Sequence, residues 1–260
     1  MDIRLEDERL VFPASRNASV NKYSSNKEMW HEKGFKVVGK NDSGIYELSV
    51  DTQKFDYILG RYLLLGFINW KEYEELVLRF KDHHREKCET NAKRLGLEKN
   101  SIELSYFAEN FLMQKHTRLN IGIITTENYS SGHQDFIEVL SSDYFNVLGI
   151  EVGFDNCQKI GFSDESEFKN SLISLLDDSS VDIIAILRGG GFSTLKALDS
   201  SDIAAIISKA EKPIIIGVGH SEDITLCDKF ASVSSHTPSL AAVAIRDAFL
   251  PSLMRRLHSI

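Results

Sequence analysis

The amino-acid sequence predicts an α/β fold in which a parallel sheet carries helices on both faces, preceded by a smaller mixed α+β domain. Four short and almost continuously apolar runs occur in the second half of the chain, and such runs are typical of strands buried on both faces. Segments of helical periodicity separate them, and this alternation favours a parallel sheet. A length of 260 residues is enough for two modest domains. We place the domain boundary between residues 117 and 118.

The second half supplies the predicted elements in order. The predicted strands are residues 119–125, 147–152, 181–187 and 213–218. One helix is expected between the second and third strands, with Ser163 or Asp164 as its N-cap, and another is expected before Pro213. A last helix begins at Thr237-Pro238, since threonine is a good N-cap and proline suits the first turn, and it is expected to break near Pro251.

The first 117 residues show mixed patterns. Residues 35–40 and 45–50 flank a turn-forming segment, which indicates a β-hairpin, and residues 55–97 have mainly helical spacing. Trp70 and Tyr73 could stack on bases, but aromatic residues at helical spacing more often belong to a core. No motif in this domain indicates its role.

Composition excludes several classes of protein. Net charge is −8, and 42% hydrophobic residues with 26% charged residues are ordinary for a globular protein. No apolar run approaches the roughly 20 residues of a membrane span, and the first residues are too charged for a signal peptide, so a cytoplasmic protein without membrane contact is expected. The cysteines, Cys88, Cys157 and Cys227, form no CxxC pair that could bind zinc, and we interpret them as reduced thiols.

Charge is unevenly distributed along the chain. Residues 1–120 contain 20 basic and 19 acidic side chains, whereas residues 121–260 contain 10 and 19. A protein that holds nucleic acid by charge alone concentrates Lys and Arg on one face. Any nucleic acid should therefore be held by the first 120 residues or by a partner, rather than by a basic stripe on the second half.

The first chemical motif is Arg188-Gly189-Gly190-Gly191, which directly follows a predicted strand. Consecutive glycines suit a backbone that a ligand approaches closely, and their N–H groups can form an anion-binding nest. Arg188 adds a bidentate donor for phosphate. A flexible turn whose arginine pairs with an acidic neighbour is an equally weighted interpretation.

The second motif follows the next strand and contains His220 and Asp223. Histidine transfers protons near neutral pH, and an acid three residues later lies on the same face of a helical turn. A lone histidine at a strand end is more often structural. In a parallel sheet, however, ligands bind at the carboxyl ends of the strands, which places His220 and Arg188 on one edge.

A third segment follows the first strand. Ser130 and Ser131 are candidates for phosphate contacts, and Asp135 is expected to open a helix at the same edge. An acid that merely complements the helix dipole is an equal alternative for Asp135. We add Thr237, at the start of the last helix, to the candidate phosphate ligands.

Together these segments resemble the catalytic domain of the exonuclease VII large subunit family. The strings that carry the resemblance are VDIIAILRGGG, PIIIGVGHSEDITLCDKFA and HTPSLAA. They occur in the family's order and at similar separations, over roughly residues 118–250. The resemblance implies a Rossmann-like catalytic domain that hydrolyses phosphodiester bonds of single-stranded DNA from its ends and releases short oligonucleotides.

The resemblance also implies the site. Carried over residue by residue, the matched active-site positions are Asp135, Arg188, His220 and Asp223. Arg188 and the glycine amides would hold the scissile phosphate, and His220 with Asp223 would supply acid–base catalysis. Asp135 would position the water or join Asp223 in holding a divalent ion. No cofactor is expected to be required, although a metal such as Mg²⁺ is compatible with the residues.

Several positions depart from the family's pattern. Phe192 stands where the family has the serine after its three glycines, and Ser234 stands where the family has the arginine of an arginine-alanine-proline step. Val243 stands where the family has a glutamate. These departures put retained catalysis in question. The first 117 residues show no clear match to the family's DNA-binding front domain, and the long coiled coil that recruits a small subunit has no counterpart here. The chain is either a compact relative with a different front domain or a truncated one, and a small-subunit-like partner would need another docking site.

Two other functions fit the same residues. One is a non-catalytic protein that binds single-stranded nucleic acid or nucleotides through the phosphate nest. The other is an enzyme acting on small phosphorylated molecules, since this class of fold serves many chemistries.

Overall fold

The computed structural model describes residues 4–6, 9–13, 36–40, 46–51, 69–126, 131–141, 143–162, 164–188, 195–218 and 224–257. The chain divides into two compact units, residues 1–83 and 84–260. Helix α1 (Trp70–Leu95), the first helix among the described residues, runs across this division. The domain assignment made from the sequence, with its boundary between residues 117 and 118, stays a prediction.

The first unit contains a four-stranded antiparallel sheet in the order β1-β2-β4-β3. Its strands are β1 (Arg4–Glu6), β2 (Arg9–Pro13), β3 (Lys36–Lys40) and β4 (Tyr46–Asp51). β3 and β4 pair antiparallel with Lys40 opposite Tyr46, which confirms the predicted hairpin. Of the predicted helical stretch, α1 is confirmed, and residues 52–68 lie outside the described residues.

The second unit contains a six-stranded parallel sheet. Its main order is β10-β9-β8-β5-β6, and β7 also pairs with β5. The strands are β5 (Arg118–Thr125), β6 (Glu151–Gly153), β7 (Cys157–Lys159), β8 (Ile183–Arg188), β9 (Ile214–Val218) and β10 (Val233–Ser235). Three of the four predicted strands are confirmed as β5, β8 and β9.

The predicted strand at residues 147–152 is largely wrong. Residues up to Leu148 belong to helix α4 (Asp143–Leu148), and β6 begins only at Glu151. Gly149 separates the two with a left-handed φ of 71°, a conformation that glycine adopts without strain. The apolar run therefore contains a helix end and a strand start, which periodicity alone could not distinguish.

Helices cover both faces of this sheet. Besides α1 and α4 they are α2 (Leu104–Met113), α3 (Ser131–Leu140), α5 (Glu165–Asp177), α6 (Ser201–Ser208) and α7 (Pro238–Leu257), with 3₁₀ turns at Lys196–Asp199 and Cys227–Lys229. In the described part of the chain, no helix is long and apolar enough to cross a bilayer.

The helix ends follow the local rules of capping. Asp164 accepts a hydrogen bond from the Glu167 N–H at 3.0 Å and so caps α5, which selects it over the alternative Ser163. Thr237 accepts from the Leu240 N–H at 3.2 Å and caps α7 as predicted. The expected break near Pro251 is wrong, because α7 continues to Leu257. A proline removes one backbone donor, and here the helix continues past that loss.

Alternate residues of the central strands enter two separate cores. Ile184, Ile186, Ile214 and Ile216 face α5 and α6, while Ile183, Ala185, Leu187 and Ile215 face α2, α3, α4 and α7. Because successive side chains of a strand point to opposite faces, an unbroken apolar strand requires such cover on both sides. The predicted α/β class, with a parallel sheet and helices on both faces, is confirmed.

Candidate active site

Four parallel strands end together at one edge of the sheet. Thr125 lies opposite Leu187, and Arg188 lies opposite Val218. On the next strand, Gly217 lies opposite Ser235. The carboxyl ends of β5, β8, β9 and β10 therefore form one edge, the position at which parallel α/β sheets bind ligands. We call it the carboxyl edge.

Two predicted site residues lie at the carboxyl edge. Arg188 is the last residue of β8, and only 5% of it is exposed. At such a position a guanidinium interacts with an anion more strongly than in water, because the surroundings are less polar. Thr237 follows β10 closely and caps the N-terminus of α7. The edge thus carries a buried cation and a capped helix N-terminus, both of which favour phosphate.

Asp135 lies on α3, the helix that follows β5 in the chain. The expectation that Asp135 opens the helix is wrong, because α3 begins at Ser131 and Asp135 is its fifth residue. Ser131, predicted to lie before the helix, forms its first turn together with Gly132. The Asp135 side chain is exposed.

Most of the predicted loop residues lie outside the described residues. They are Ser130, Gly189, Gly190, Gly191, His220 and Asp223, and Phe192 lies with them. Ser131 is described through its backbone alone. Their convergence at the carboxyl edge and their roles stay predictions.

The structure shows how the segment after residue 223 is held. The partly buried carboxylate of Asp228 accepts hydrogen bonds from the Thr225 N–H at 2.7 Å and from the Thr225 hydroxyl at 2.8 Å. Its other oxygen accepts from the Ser234 hydroxyl at 2.7 Å. Burial raises the pKa of Asp228, while these donors oppose the rise. Thr225, two residues after Asp223, is therefore fastened beside β10.

A second carboxylate holds the same segment. Asp199, at the end of a 3₁₀ turn, accepts a hydrogen bond from the Leu226 N–H at 3.1 Å. Cys88 lies beside it, with its Sγ 3.6 Å from Asp199 Oδ1 and 3.8 Å from the Ile224 carbonyl oxygen. Burial, followed by the charge of Asp199, raises the pKa of the Cys88 thiol. Residues 224–226 are thus tied to Asp228 on one side and to Asp199 and Cys88 on the other.

Thr125 is a further candidate that sequence reasoning missed. It ends β5 at the carboxyl edge and is 2% exposed, and its hydroxyl has no hydrogen-bond partner among the described residues. Leaving a hydroxyl buried without a partner costs about 1–3 kcal/mol. A phosphate oxygen at this edge would satisfy it. The available signal was a polar residue at the carboxyl end of a strand whose four preceding residues, 121–124, are apolar.

Asp199 and Asp228 were also missed as site residues. Asp228 lies within one of the strings that resemble the family, but spacing alone gave it no contact. Asp199 precedes a helix, and an acid at that position is explained by the positive end of the helix dipole alone. Neither carboxylate contacts a predicted catalytic residue in the described part of the chain, and both act by positioning backbone.

Comparison with known proteins finds relatives for the part of the chain that contains the parallel sheet and the predicted site residues. The sequence model of the family described as "Exonuclease VII, large subunit" matches residues 106–258. An exodeoxyribonuclease 7 large subunit from Pseudothermotoga lettingae is 35% identical over 149 residues, which cover 53% of this chain and 36% of that protein. One from Clostridium novyi is 44% identical over 123 residues, which cover 47% of this chain and 30% of that protein.

The chain thus spans about a third of the length of these relatives. The match includes all six strands of the parallel sheet and every residue predicted for the site. A family model that covers more than half of the chain, together with strand-end motifs in the family's order, leads to one conclusion: the chain belongs to the exonuclease VII large subunit family.

Proposed function

We propose that this protein is an exodeoxyribonuclease that hydrolyses phosphodiester bonds of single-stranded DNA and releases short oligonucleotides. The observation that carries the proposal is the family match over residues 106–258, whose parallel sheet places buried Arg188 at the carboxyl edge. The curated relatives are named exodeoxyribonucleases.

Phosphate binding is the first part of the proposed mechanism. Arg188 would pair with the non-bridging oxygens of the scissile phosphate, and the amides of Gly189 to Gly191 would complete an anion nest. Such donors stabilise the charge that builds on the oxygens in the transition state. Ser130, Ser131 and Thr237 are the additional phosphate contacts in this proposal. α7 begins directly after Thr237 at this edge, and α3 follows β5 in the chain; the positive ends of their helix dipoles would favour phosphate there.

Proton transfer is the second part. His220, oriented by Asp223, would take a proton from the attacking water or give one to the leaving oxygen. Water attacks phosphorus, the bond to the leaving oxygen breaks, and the proton lost by water balances the one gained by that oxygen. Asp135 would position the water, or share a divalent ion with Asp223. The proposal requires no cofactor, and the assay below tests metal dependence directly.

General electrostatic attraction of DNA is assigned outside the second half of the chain. Residues 121–260 contain 19 acidic and 10 basic side chains, so general phosphate attraction is weak there. We assign it to the first 120 residues or to a partner. The relatives are named large subunits, and a small-subunit partner is therefore part of the proposal.

A second function shares this site. The acidic character of the second half and the departures at Phe192, Ser234 and Val243 favour a protein that binds single-stranded DNA or nucleotides without cleaving them. Both functions need Arg188 for binding. They differ in whether the DNA is cut.

The test is degradation of end-labelled single-stranded DNA followed on a denaturing gel. The wild type is compared with Arg188→Ala, His220→Ala and Asp223→Ala, with and without EDTA, alone and with a small-subunit homologue from the same genome. Arg246→Ala is the matched control, because this arginine pairs with neighbouring Asp247 on α7. We expect each site variant to lose about 10²-fold or more of the rate, and the control to keep it.

Each outcome decides something. Binding without degradation by the wild type, in every arm, supports the non-catalytic function and overturns the nuclease. Degradation that survives all three substitutions overturns the site assignment while keeping the activity. Loss of activity caused by EDTA indicates that a metal ion takes part.

A further inference from the structure

Three side chains with metal-binding atoms, none of them among the predicted site residues, lie close together. His84 and Cys88 lie one helical turn apart on α1, and Asp199 lies on the 3₁₀ turn before α6. One ligand atom from each lies within 4.8 Å of the others. We propose that His84, Cys88 and Asp199 form a binding site for a divalent transition-metal ion of the Zn²⁺ type.

The distances fit one ion between these atoms. Tetrahedral bonds of about 2.3 Å to sulfur, 2.05 Å to imidazole and 2.1 Å to carboxylate imply separations of roughly 3.6 Å for S–N, 3.6 Å for S–O and 3.4 Å for N–O. The structure has Cys88 Sγ 3.6 Å from His84 Nε2 and 3.6 Å from Asp199 Oδ1. His84 Nε2 lies 3.5 Å from Asp199 Oδ2. The S–N separation and the S–O separation to Oδ1 match ligands around one zinc ion. The N–O separation is measured to the other carboxylate oxygen, Oδ2, so Asp199 would hold the ion through both oxygens or after a small rotation of its carboxylate.

The chemical type of the three ligand atoms indicates which metal ion they would bind. A thiolate, an imidazole and a carboxylate together suit Zn²⁺, whereas Mg²⁺ and Ca²⁺ prefer oxygen ligands only. Cys88 is 3% exposed, while the side chains of His84 and Asp199 are 31% and 32% exposed. The open side gives an ion an entry path and leaves room for water as the fourth ligand.

Surrounding contacts orient the ligands. Asp199 is held by the Leu226 N–H at 3.1 Å, and the Cys88 sulfur lies 3.8 Å from the Ile224 carbonyl oxygen. Such outer contacts are typical of metal sites. An ion here would fasten α1 to residues 224–226, the segment that immediately follows the predicted catalytic residue Asp223. The proposal stands whether or not the protein cuts DNA.

A second cysteine–histidine pair provides an internal comparison. Cys157 Sγ lies 3.6 Å from His133 Nε2, the same separation as in the proposed site. In the part of the chain that the structure describes, no carboxylate joins this pair in a metal-binding group. A cysteine and a histidine alone bind zinc weakly, so Cys157 is a matched control for Cys88.

The test is metal binding by the 260-residue chain. Protein stripped with a chelator and dialysed is titrated with Zn²⁺ by calorimetry and, separately, with Co²⁺ by absorption spectroscopy. We expect one ion per chain, a thiolate-to-cobalt charge-transfer band, and tetrahedral d–d bands. Cys88→Ser, Asp199→Asn and His84→Gln should each weaken Zn²⁺ binding by more than the roughly 10–100-fold typical of losing an outer-shell contact. Cys157→Ser and His83→Gln should bind as the wild type does.

Folding of the variants is checked separately. Circular dichroism and thermal unfolding are measured on every metal-free variant, and Zn²⁺ should raise the melting temperature of the wild type and of Cys157→Ser but not of Asp199→Asn. The proposal is overturned if the folded wild type binds no Zn²⁺ stoichiometrically. It is equally overturned if Cys88→Ser keeps the charge-transfer band, or if Cys157→Ser loses it. These readouts do not depend on DNA cleavage, so failure of the nuclease proposal leaves them unaffected.

Discussion

Gly217 of β9 lies directly against Ala241 of α7. A β-carbon added at Gly217 would be 2.8 Å from the Ala241 β-carbon and 3.1 Å from both Pro238 Cα and the Thr237 carbonyl oxygen. Absence of a side chain at this position lets the first turns of α7 pack onto the end of β9. The close approach brings the N-terminus of α7, with Thr237, to the carboxyl edge where phosphate binding is proposed.

Gly217→Ala is therefore expected to destabilise the protein. The neighbours on α7 include backbone atoms that cannot rotate away, and overpacking of this kind costs about 1–3 kcal/mol. Urea denaturation of the variant measures the loss. Gly122→Ala is the comparison, because its added carbon would meet only side-chain ends of Leu175 and Val181 at 3.0 Å. An equal or larger loss at Gly122 would contradict the account of Gly217.

Asn100 is expected to be a strong determinant of stability. It is 4% exposed, and its Nδ2 group donates to the carbonyl oxygens of Ile207, Ala210 and Lys212 at 3.1–3.3 Å. Its Oδ1 accepts from the Ile102 N–H at 2.9 Å. Asn100→Ala leaves these buried groups without that partner and should lower the free energy of unfolding by about 1–3 kcal/mol.

An exposed asparagine serves as the control for Asn100. Asn146 donates to Asp143 at 3.4 Å on the surface of α4. Asn146→Ala should change the free energy of unfolding by less than about 0.5 kcal/mol. If both variants lose the same stability in chemical denaturation, the hydrogen bonds of Asn100 are not the cause.

Thr125→Val separates stability from function. The substitution keeps the shape of the side chain and removes a hydroxyl that has no partner among the described residues. Stability should stay the same or rise by about 1 kcal/mol, since a buried unsatisfied group is lost. Cleavage or binding of single-stranded DNA should fall. Thr125→Ser, which keeps the hydroxyl, should retain more of that function, and unchanged function in Thr125→Val would exclude a phosphate contact.

His133 is expected to make stability depend on pH. Burial, followed by the charge of Lys159, lowers the pKa of His133 below its ordinary value of 6.5. The unfolded chain therefore takes up a proton at a pH where the folded protein resists it. The contribution of neutral His133 to the free energy of unfolding should therefore be lost as pH falls from about 6.5 toward the lowered pKa.

Two variants check this origin. For His133→Gln, whose side chain does not titrate, the urea midpoints at neutral and at mildly acidic pH should differ less than they do for the wild type. Lys159→Gln removes a repulsive charge and should reduce the dependence without abolishing it. If lowering the pH over this interval increases the free energy of unfolding of the wild type relative to that of His133→Gln, the predicted sign is wrong.

The sequence was sufficient for the elements with strong local signals. Capping by Thr237 and the strand ending at Arg188 follow from residue type and spacing within a few positions. The expectation that Trp70 belongs to a core was wrong, because the side chain is 62% exposed and stacks on Tyr73. Helical spacing predicts a face, but which face is covered depends on what packs there.

By itself, the sequence determined the α/β class, the family and the edge of the sheet at which Arg188 lies. These follow from short-range periodicity and from the alignment of parallel strand ends. Only the tertiary structure decided that Asp199 meets Cys88, 111 residues earlier, and that Asp228 and Asp199 together hold residues 224–226. The physical reason is that such contacts depend on how α1 and the 3₁₀ turns pack over the sheet, and no local spacing encodes that packing.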